Sequence, residues 1–273
     1  MMEDNPESDH QVLNTKSRKL KVMTGIMSKI SVEPTVFLTV FTSMMYQLTS
    51  QNVYLEKACR VNIGFNSSTC DALTTRNRSG YSRIEEIEVQ KLVSKMLGLR
   101  TVLQSFVPFC LMLFVGSWTD RHNRRKPLIL TPIIGEIFCC VLLILNIIFF
   151  YELPLIFTTL GDSLPLALLG GWPCFFVGTY TLVGAQCDPT SRTTRMAILS
   201  VLQMTGFSLG MGLAGLIHAS FGFIGFFSFC ICILITSFLL GMFLVKEKTT
   251  TPHKEKDTAC SETFSIFTIL WNH

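Results

Sequence analysis

Charge is scarce in this 273-residue chain: Asp, Glu, Lys and Arg make up 15% of it, against about 25% in a typical soluble domain. Histidine occurs only as His10, His122, His218, His253 and His273, in tails, at a turn or at a span end, and none stands at metal-ligand spacing with a cysteine. There is no glycine-rich phosphate loop and no Ser-His-Asp arrangement. These gaps argue against an enzyme, and no cofactor or metal is implied. A net charge of +4 is too small for a nucleic-acid module. Residues 1–30 lack an apolar run ending at small residues, so no cleavable signal peptide is expected. What the chain has in quantity is apolar surface: 49% hydrophobic residues, 22 phenylalanines and a mean hydropathy of +0.44.

That surface is concentrated in six stretches, roughly 35–55, 97–118, 127–150, 164–186, 196–219 and 221–245. Crossing a bilayer core of ~30 Å takes about 20 mostly apolar residues in a helix. A barrel strand would alternate with period two, and runs such as Cys139 to Leu145 do not. The expected fold is an all-α membrane protein with six transmembrane helices, the first serving as signal anchor. The expected units are an N-terminal tail (1–34), a six-helix bundle (35–246) with one long loop (56–94), and a C-terminal tail (247–273).

Orientation follows from Lys and Arg, which collect in cytoplasmic segments. They cluster in the first tail (Lys16, Arg18, Lys19, Lys21, Lys29), after the second span (Arg121, Arg124, Arg125, Lys126), after the fourth (Arg192, Arg195) and in the last tail (Lys246, Lys248, Lys254, Lys256). The loops after the third and fifth spans have none. Both tails are therefore expected in the cytoplasm and the 56–94 loop outside. That loop carries both N-x-Ser/Thr acceptors, at Asn66 and Asn77, a modification made only on that side. Of the cysteines, only Cys59 and Cys70 lie in this oxidising loop; they pair with each other or with a segment outside the chain. Cys110, Cys139, Cys140, Cys174, Cys230 and Cys232 read as small apolar residues of the spans.

Within the spans, a few polar residues stand out. Thr39, Ser43, Gln47, Ser50 and Tyr54 recur at helical spacing along the first, with Val40, Phe41, Met44 and Met45 mostly on the other side. The pattern predicts lipid on one face and a polar cavity, or interhelical hydrogen bonds, on the other. In the fourth span Gly170-Gly171-Trp172-Pro173 interrupts the helix, because Pro173 cannot bond to Leu169; interrupted spans mark midplane binding sites in transporters. Trp172 and Tyr180 there, with Gln203 in the fifth span, are candidates to line such a site. Gly206, Gly210, Gly212 and Gly215 suit close helix packing. Two ionisable residues are assigned to the spans. Arg100 is expected to snorkel to the headgroups or else to attract an anionic solute. Glu136, about 12 Å deep by the ~1.5 Å rise per residue, is either a proton carrier or the partner of a cytoplasmic arginine.

The turn between the second and third spans reads Gly116-Ser117-Trp118-Thr119-Asp120-Arg121-His122-Asn123-Arg124-Arg125-Lys126-Pro127. A positive-inside loop explains its arginines but not Asp120. The run resembles the G-x-x-x-D-R-x-G-R-R motif of the major facilitator superfamily, with Asn123 in place of glycine. The resemblance implies that Gly116, Asp120, Arg121, Arg124 and Arg125 form a cytoplasmic latch against a second six-helix half, holding the outward-open state. With Gly64 to Cys70 and Ser191 to Ala197, the chain is further similar to solute carrier family 46, the proton-coupled folate transporter and its relatives, and looks like the N-terminal half of such a carrier. In that family the first loop's cysteine is bridged to a loop of the other half, which would leave Cys70 without its partner. The family also implies an arginine and an aspartate in the fourth span and a glutamate in the fifth. Here Ser163 falls near the arginine, Ser200 replaces the glutamate, and Gly171 to Cys174 hold no acid. Glu136 is then left to carry coupling, unless coupling differs.

The expected function is secondary active transport of a small organic solute, folate-like or another organic anion, with or without protons. The alternative is a truncated membrane protein, inert or regulating a full-length carrier. The implied partners are the lipid bilayer, the solute, and a second half, a second copy or a full-length carrier. The expected location is the plasma membrane, with the lysosomal membrane as the alternative.

Overall fold

The computed structural model describes residues 32–122, 125–187 and 189–245, without the side chains of 115–122 and 189–191. Of the expected tails only residues 32–34 are described, and Glu33 and Pro34 already belong to the first helix. The described part is helical throughout. Helix α1 (Glu33–Lys57) takes Pro34 in its first turn, where a missing N–H costs nothing, and runs into a π-helical turn (Ala58–Ile63) that closes on Gly64. The short α2 (Ser67–Thr74) follows. Helix α3 (Arg83–His122) starts from a reciprocal cap, with Ser82 N–H donating to Glu85 Oε2 at 2.7 Å and Glu85 N–H to Ser82 Oγ at 3.3 Å. Then come α4 (Lys126–Ile148), α5 (Leu155–Leu168), α6 (Gly171–Gln186) and α7 (Pro189–Leu244).

Four helical stretches are long and apolar enough to cross a membrane: Arg83–Phe114, Lys126–Ile148, Leu155–Gln186 and Arg192–Leu244. The last is 53 residues long and breaks at Gly222 (φ 65, ψ −175), near the boundary between the stretches expected at 196–219 and 221–245. Helix α1 is not among the four; Thr, Ser and Gln dilute its apolar content. The bundle presents Phe106, Phe114, Leu216 and Phe243 on its outside, each more than 60% exposed. Such a surface is a liability in water and the expected surface against lipid.

Two expectations about the spans are corrected. The fourth begins at residue 155, not 164, and is two helices, α5 and α6, separated at Leu169-Gly170. Gly170 (φ 99) and Gly171 (φ 57) both take the left-handed conformation, which residues with a Cβ adopt only under strain. Pro173 thereby falls in the first turn of α6, where no helical bond is lost. The first span divides only in part: Thr39, Ser43, Ser50 and Tyr54 turn inward, with interhelical hydrogen bonds such as Thr39 to Ser237, while Phe41 and Met44 stay half-buried. Its main neighbour is α7, and Val40 and Met45 are as buried as Thr39, Ser43, Ser50 and Tyr54.

The interior has two parts. The larger runs through the bundle and centres on Met45, Ile129, Ile133, Leu143, Phe175 and Phe227. The smaller lies at the C-terminal end of α1, where Tyr54, Cys59, Cys70, Leu73, Val89 and Leu155 pack together. In lipid these contacts act mainly through close packing, since the surroundings are as apolar as the core. Small residues set the spacing. A Cβ on Gly210 would collide with the backbone of Phe41, and one on Gly135 would lie 3.1 Å from the Pro165 carbonyl, whereas Gly212 and Gly215 face open space. Close packing in the fifth span thus rests on Gly206 and Gly210 alone.

Candidate functional site

The polar centre of the bundle is Asp162, in the middle of α5 and fully buried. Its carboxylate is enclosed by α1 and α3. Tyr46 Oη donates to Oδ1, and Tyr54 Oη donates to Oδ2 at 3.0 Å. Arg100 Nε lies 3.1 Å from the same Oδ2. The backbone carbonyl of Asp162 accepts from Gln104 Nε2 at 3.3 Å and from Cys139 Sγ at 3.2 Å. Arg100 Nη1 donates to Ser50 Oγ at 3.1 Å. Burying an ion pair is costly unless the remaining lone pairs and N–H groups are satisfied, and these contacts supply most of that satisfaction.

Arg100 therefore does not snorkel to the headgroups. It is only 6% exposed and faces inward, because Asp162 offers a charge that lipid headgroups would have to match through a longer, less ordered reach. Asp162 falls outside the two ionisable residues expected in the spans because it lies two residues before the expected start of the fourth span at 164, although the helix itself begins at Leu155. The signal was present: a carboxylate inside Leu155-Ile156-Phe157-Thr158-Thr159-Leu160-Gly161-Asp162 is rare in an apolar helix and needs a partner. Tyr46 was overlooked for a different reason, as its ring reads as core.

Next to this ion pair is a small pocket of about 20 Å³, lined by Ser43, Tyr46, Gln47, Arg100 and Gln104 from α1 and α3 and by Glu136, Cys139, Leu166 and Trp172 from α4, α5 and α6. Of the candidates from sequence, the structure brings together Gln47, Arg100, Glu136 and Trp172. Glu136 is 4% exposed, and among the described residues no cation lies within ion-pair distance of it. Trp172, the second residue of α6, stacks on Phe176 with ring centroids 5.3 Å apart. Tyr180 and Gln203 lie elsewhere, between α6 and α7. Tyr180 Oη donates to Gln203 Oε1 at 3.0 Å and sits 3.1 Å from Ser200 Oγ, and neither lines the pocket.

A second buried cation stands at the C-terminal end of α1. Lys57 Nζ donates to the backbone O and the Oδ1 of Asn146, each at 3.3 Å, and lies 5.5 Å from the Phe150 ring centroid. Among the described residues no carboxylate reaches it. At the opposite end of α1, Arg195 Nη2 pairs with Glu33 Oε1 at 2.8 Å.

Of the latch residues, only Arg125 has a described side chain; its Nη1 donates to the Thr181 carbonyl at 3.0 Å. The side chains of Gly116, Asp120 and Arg121, and Arg124 altogether, lie outside the described residues. Cys59 and Cys70 are joined as a disulfide, with Cα atoms 5.8 Å apart, so within this chain the loop cysteine is bridged locally. Asn66 and Asn77 are both exposed, and Asn77 Oδ1 accepts from Ser79 Oγ at 2.7 Å.

Comparison with known proteins gives a consistent picture. Residues 85–272 match the profile described as Major Facilitator Superfamily. The probable peptidoglycan muropeptide transporter SLC46 of Drosophila melanogaster is 23% identical over 255 residues, covering 88% of this chain and 47% of that protein. The lysosomal proton-coupled steroid conjugate and bile acid symporter SLC46A3 of Gallus gallus is 26% identical over 192 residues, 68% of this chain and 39% of the relative. The proton-coupled folate transporter of Rattus norvegicus is 27% identical over 226 residues, 81% and 46% respectively. The chain spans less than half the length of each.

Proposed function

From the premise that this chain belongs to the major facilitator superfamily, we propose that it forms one wall of a passage that moves a small organic anion across a membrane by alternating access. The observation that carries this reading is the pocket beside the buried Arg100–Asp162 pair. Arg100 gives the pocket a guanidinium already desolvated, with a planar fork suited to a carboxylate or sulfate. Trp172 adds an aromatic wall at the N-terminus of α6, the end of a helix that favours anions. Asp162 keeps Arg100 charged and oriented, and its carboxylate is used up doing so.

Glu136 then has the second role. It is the carboxylate that lines the pocket without a cation, so it is the group that takes up and releases a proton as the pocket changes sides. Alternating access needs an opposite bundle for this wall to rock against. More of the same polypeptide, a second copy or a full-length carrier would each supply it, with the Asp120 and Arg124 turn as the cytoplasmic latch. Six crossings, both tails in the cytoplasm, glycans at Asn66 and Asn77, and residence at the plasma membrane complete the proposal.

The test is uptake in cells expressing the chain. Labelled folate, a steroid conjugate and a muropeptide, the solute types named for the relatives, are supplied under an inward proton gradient. Accumulation of one of them over control cells is expected. Glu136→Gln should abolish gradient-driven accumulation yet leave solute exchange, and Arg100→Gln should abolish both. No accumulation above control for any of these anions would overturn the reading, as would a Glu136→Gln variant that still concentrates solute.

A further inference from the structure

A second cavity lies well away from the bundle pocket, at the C-terminal end of α1. It has a volume of about 310 Å³ and is lined by Leu55, Leu73, Arg76, Arg78, Tyr81, Glu86 and Gln90. We propose that it is a binding site for a small organic anion with an apolar ring, separate from the transport pocket and independent of the transport reading.

Three observations converge. The first is charge. Arg76 and Arg78 are both exposed, and among the described residues neither guanidinium has a carboxylate within ion-pair distance. The acid on the cavity wall, Glu86, already accepts from Gln90 Nε2 at 3.1 Å. Nearby, Arg60 is taken by Glu56 and Asp71, whereas the two guanidiniums on the cavity wall are not. Two guanidiniums on one wall are a recognition set for carboxylate, sulfate or phosphate.

The second is backbone strain at one of those arginines. Helix α2 ends in a Schellman turn, with Asn77 N–H bonded to the Ala72 carbonyl at 2.8 Å and Arg76 N–H to the Leu73 carbonyl at 3.2 Å. The residue in the left-handed position of that turn is normally glycine. Here it is Arg76, with φ 57, and no other non-glycine residue among those described has positive φ. A side chain kept where glycine would be more stable points to a use for that side chain, since such strain gathers at ligand clamps.

The third is the wall opposite the charges. Leu55 and Leu73 give it an apolar floor and Tyr81 an aromatic edge, in a volume typical of small-molecule sites. The Cys59–Cys70 bridge ties α1 to α2 and so fixes that floor relative to the arginines. The combination suits an aromatic or alicyclic acid better than a bare inorganic ion.

The experiment uses the full chain in nanodiscs and fluorine NMR of para-fluorobenzenesulfonate, with para-fluorobenzyl alcohol as the uncharged counterpart. The sulfonate should bind about tenfold more tightly than the alcohol. Arg78→Gln should weaken the sulfonate about tenfold. Arg76→Gly should weaken it similarly while raising the melting temperature by about 2–3 °C through relief of the strain. Unchanged sulfonate binding in both variants would overturn the site, and a lower melting temperature for Arg76→Gly would show that Arg76 serves the fold instead. A lipid headgroup has the same anionic chemistry. Equal binding in phosphatidylcholine and phosphatidylglycerol nanodiscs is expected for a free solute. Loss of the sulfonate in the anionic lipid would assign the cavity to a headgroup and overturn the solute reading.

Discussion

Arg100 and Lys57 are both buried cations, and the bundle accommodates them in opposite ways. Arg100 has a carboxylate: Asp162 faces it at 3.1 Å, and two tyrosines hold that carboxylate from the other side. Lys57 has, among the described residues, the two oxygens of Asn146 and the face of Phe150. The difference decides what happens when one member is removed. An ion pair leaves an orphaned charge behind when broken, and this is far more costly than never having buried the pair. A lysine held by neutral dipoles leaves behind groups that have other partners, since Thr158 Oγ1 also donates to Asn146 Oδ1 at 3.0 Å. The first arrangement is a fixed electrostatic centre and the second a local tether for the end of α1.

The comparison is sharpest at Asp162. Asp162→Asn should cost about 3–5 kcal/mol, read as thermal unfolding of the purified chain in detergent. Arg100→Met combined with Asp162→Leu should recover most of that loss. A double variant as unstable as the single would mean that packing, not charge, sets the cost. Next in size is the cross-link beside Lys57. Cys59→Ser should cost about 3 kcal/mol on the loop-closure argument, measured against the wild type under non-reducing conditions. Asn146→Leu removes one oxygen from Lys57 and one from Thr158, and about 1–2 kcal/mol is expected from the buried donors it leaves. Lys57→Met should lie within about 1 kcal/mol of wild type. A loss for Lys57→Met as large as that for Asp162→Asn would erase the distinction between the two cations.

Much of this architecture was legible in the chain itself. The apolar stretches, the Gly-Gly-Trp-Pro interruption and the paired loop cysteines all correspond to local features: an element long enough to cross lipid, two glycines free to turn left-handed between helices, two thiols close in sequence. Gln47, Arg100, Glu136 and Trp172 were recognisable as polar or bulky residues inside apolar helices, and they meet at one pocket. Tyr180 and Gln203 carried the same kind of signal yet pair with each other away from it, because residue type does not specify which helix face meets which neighbour. Asp162 was missed at a misplaced boundary, the least reliable feature of any periodic pattern. The strain at Arg76 has no signature in residue order at all, since a left-handed arginine looks like any other arginine until the turn around it is built.

What the amino-acid order settles here is the membrane character and the helical class, since lipid admits only segments that satisfy their own backbone bonds and these residues supply enough apolar length to enter it. What the tertiary structure alone decides is the pairing of Arg100 with Asp162, of Lys57 with Asn146, and the two cavities beside them. Those depend on the rotation of each helix about its axis, and close packing at residues such as Gly135 and Gly210 sets that rotation through contacts made far apart in the chain.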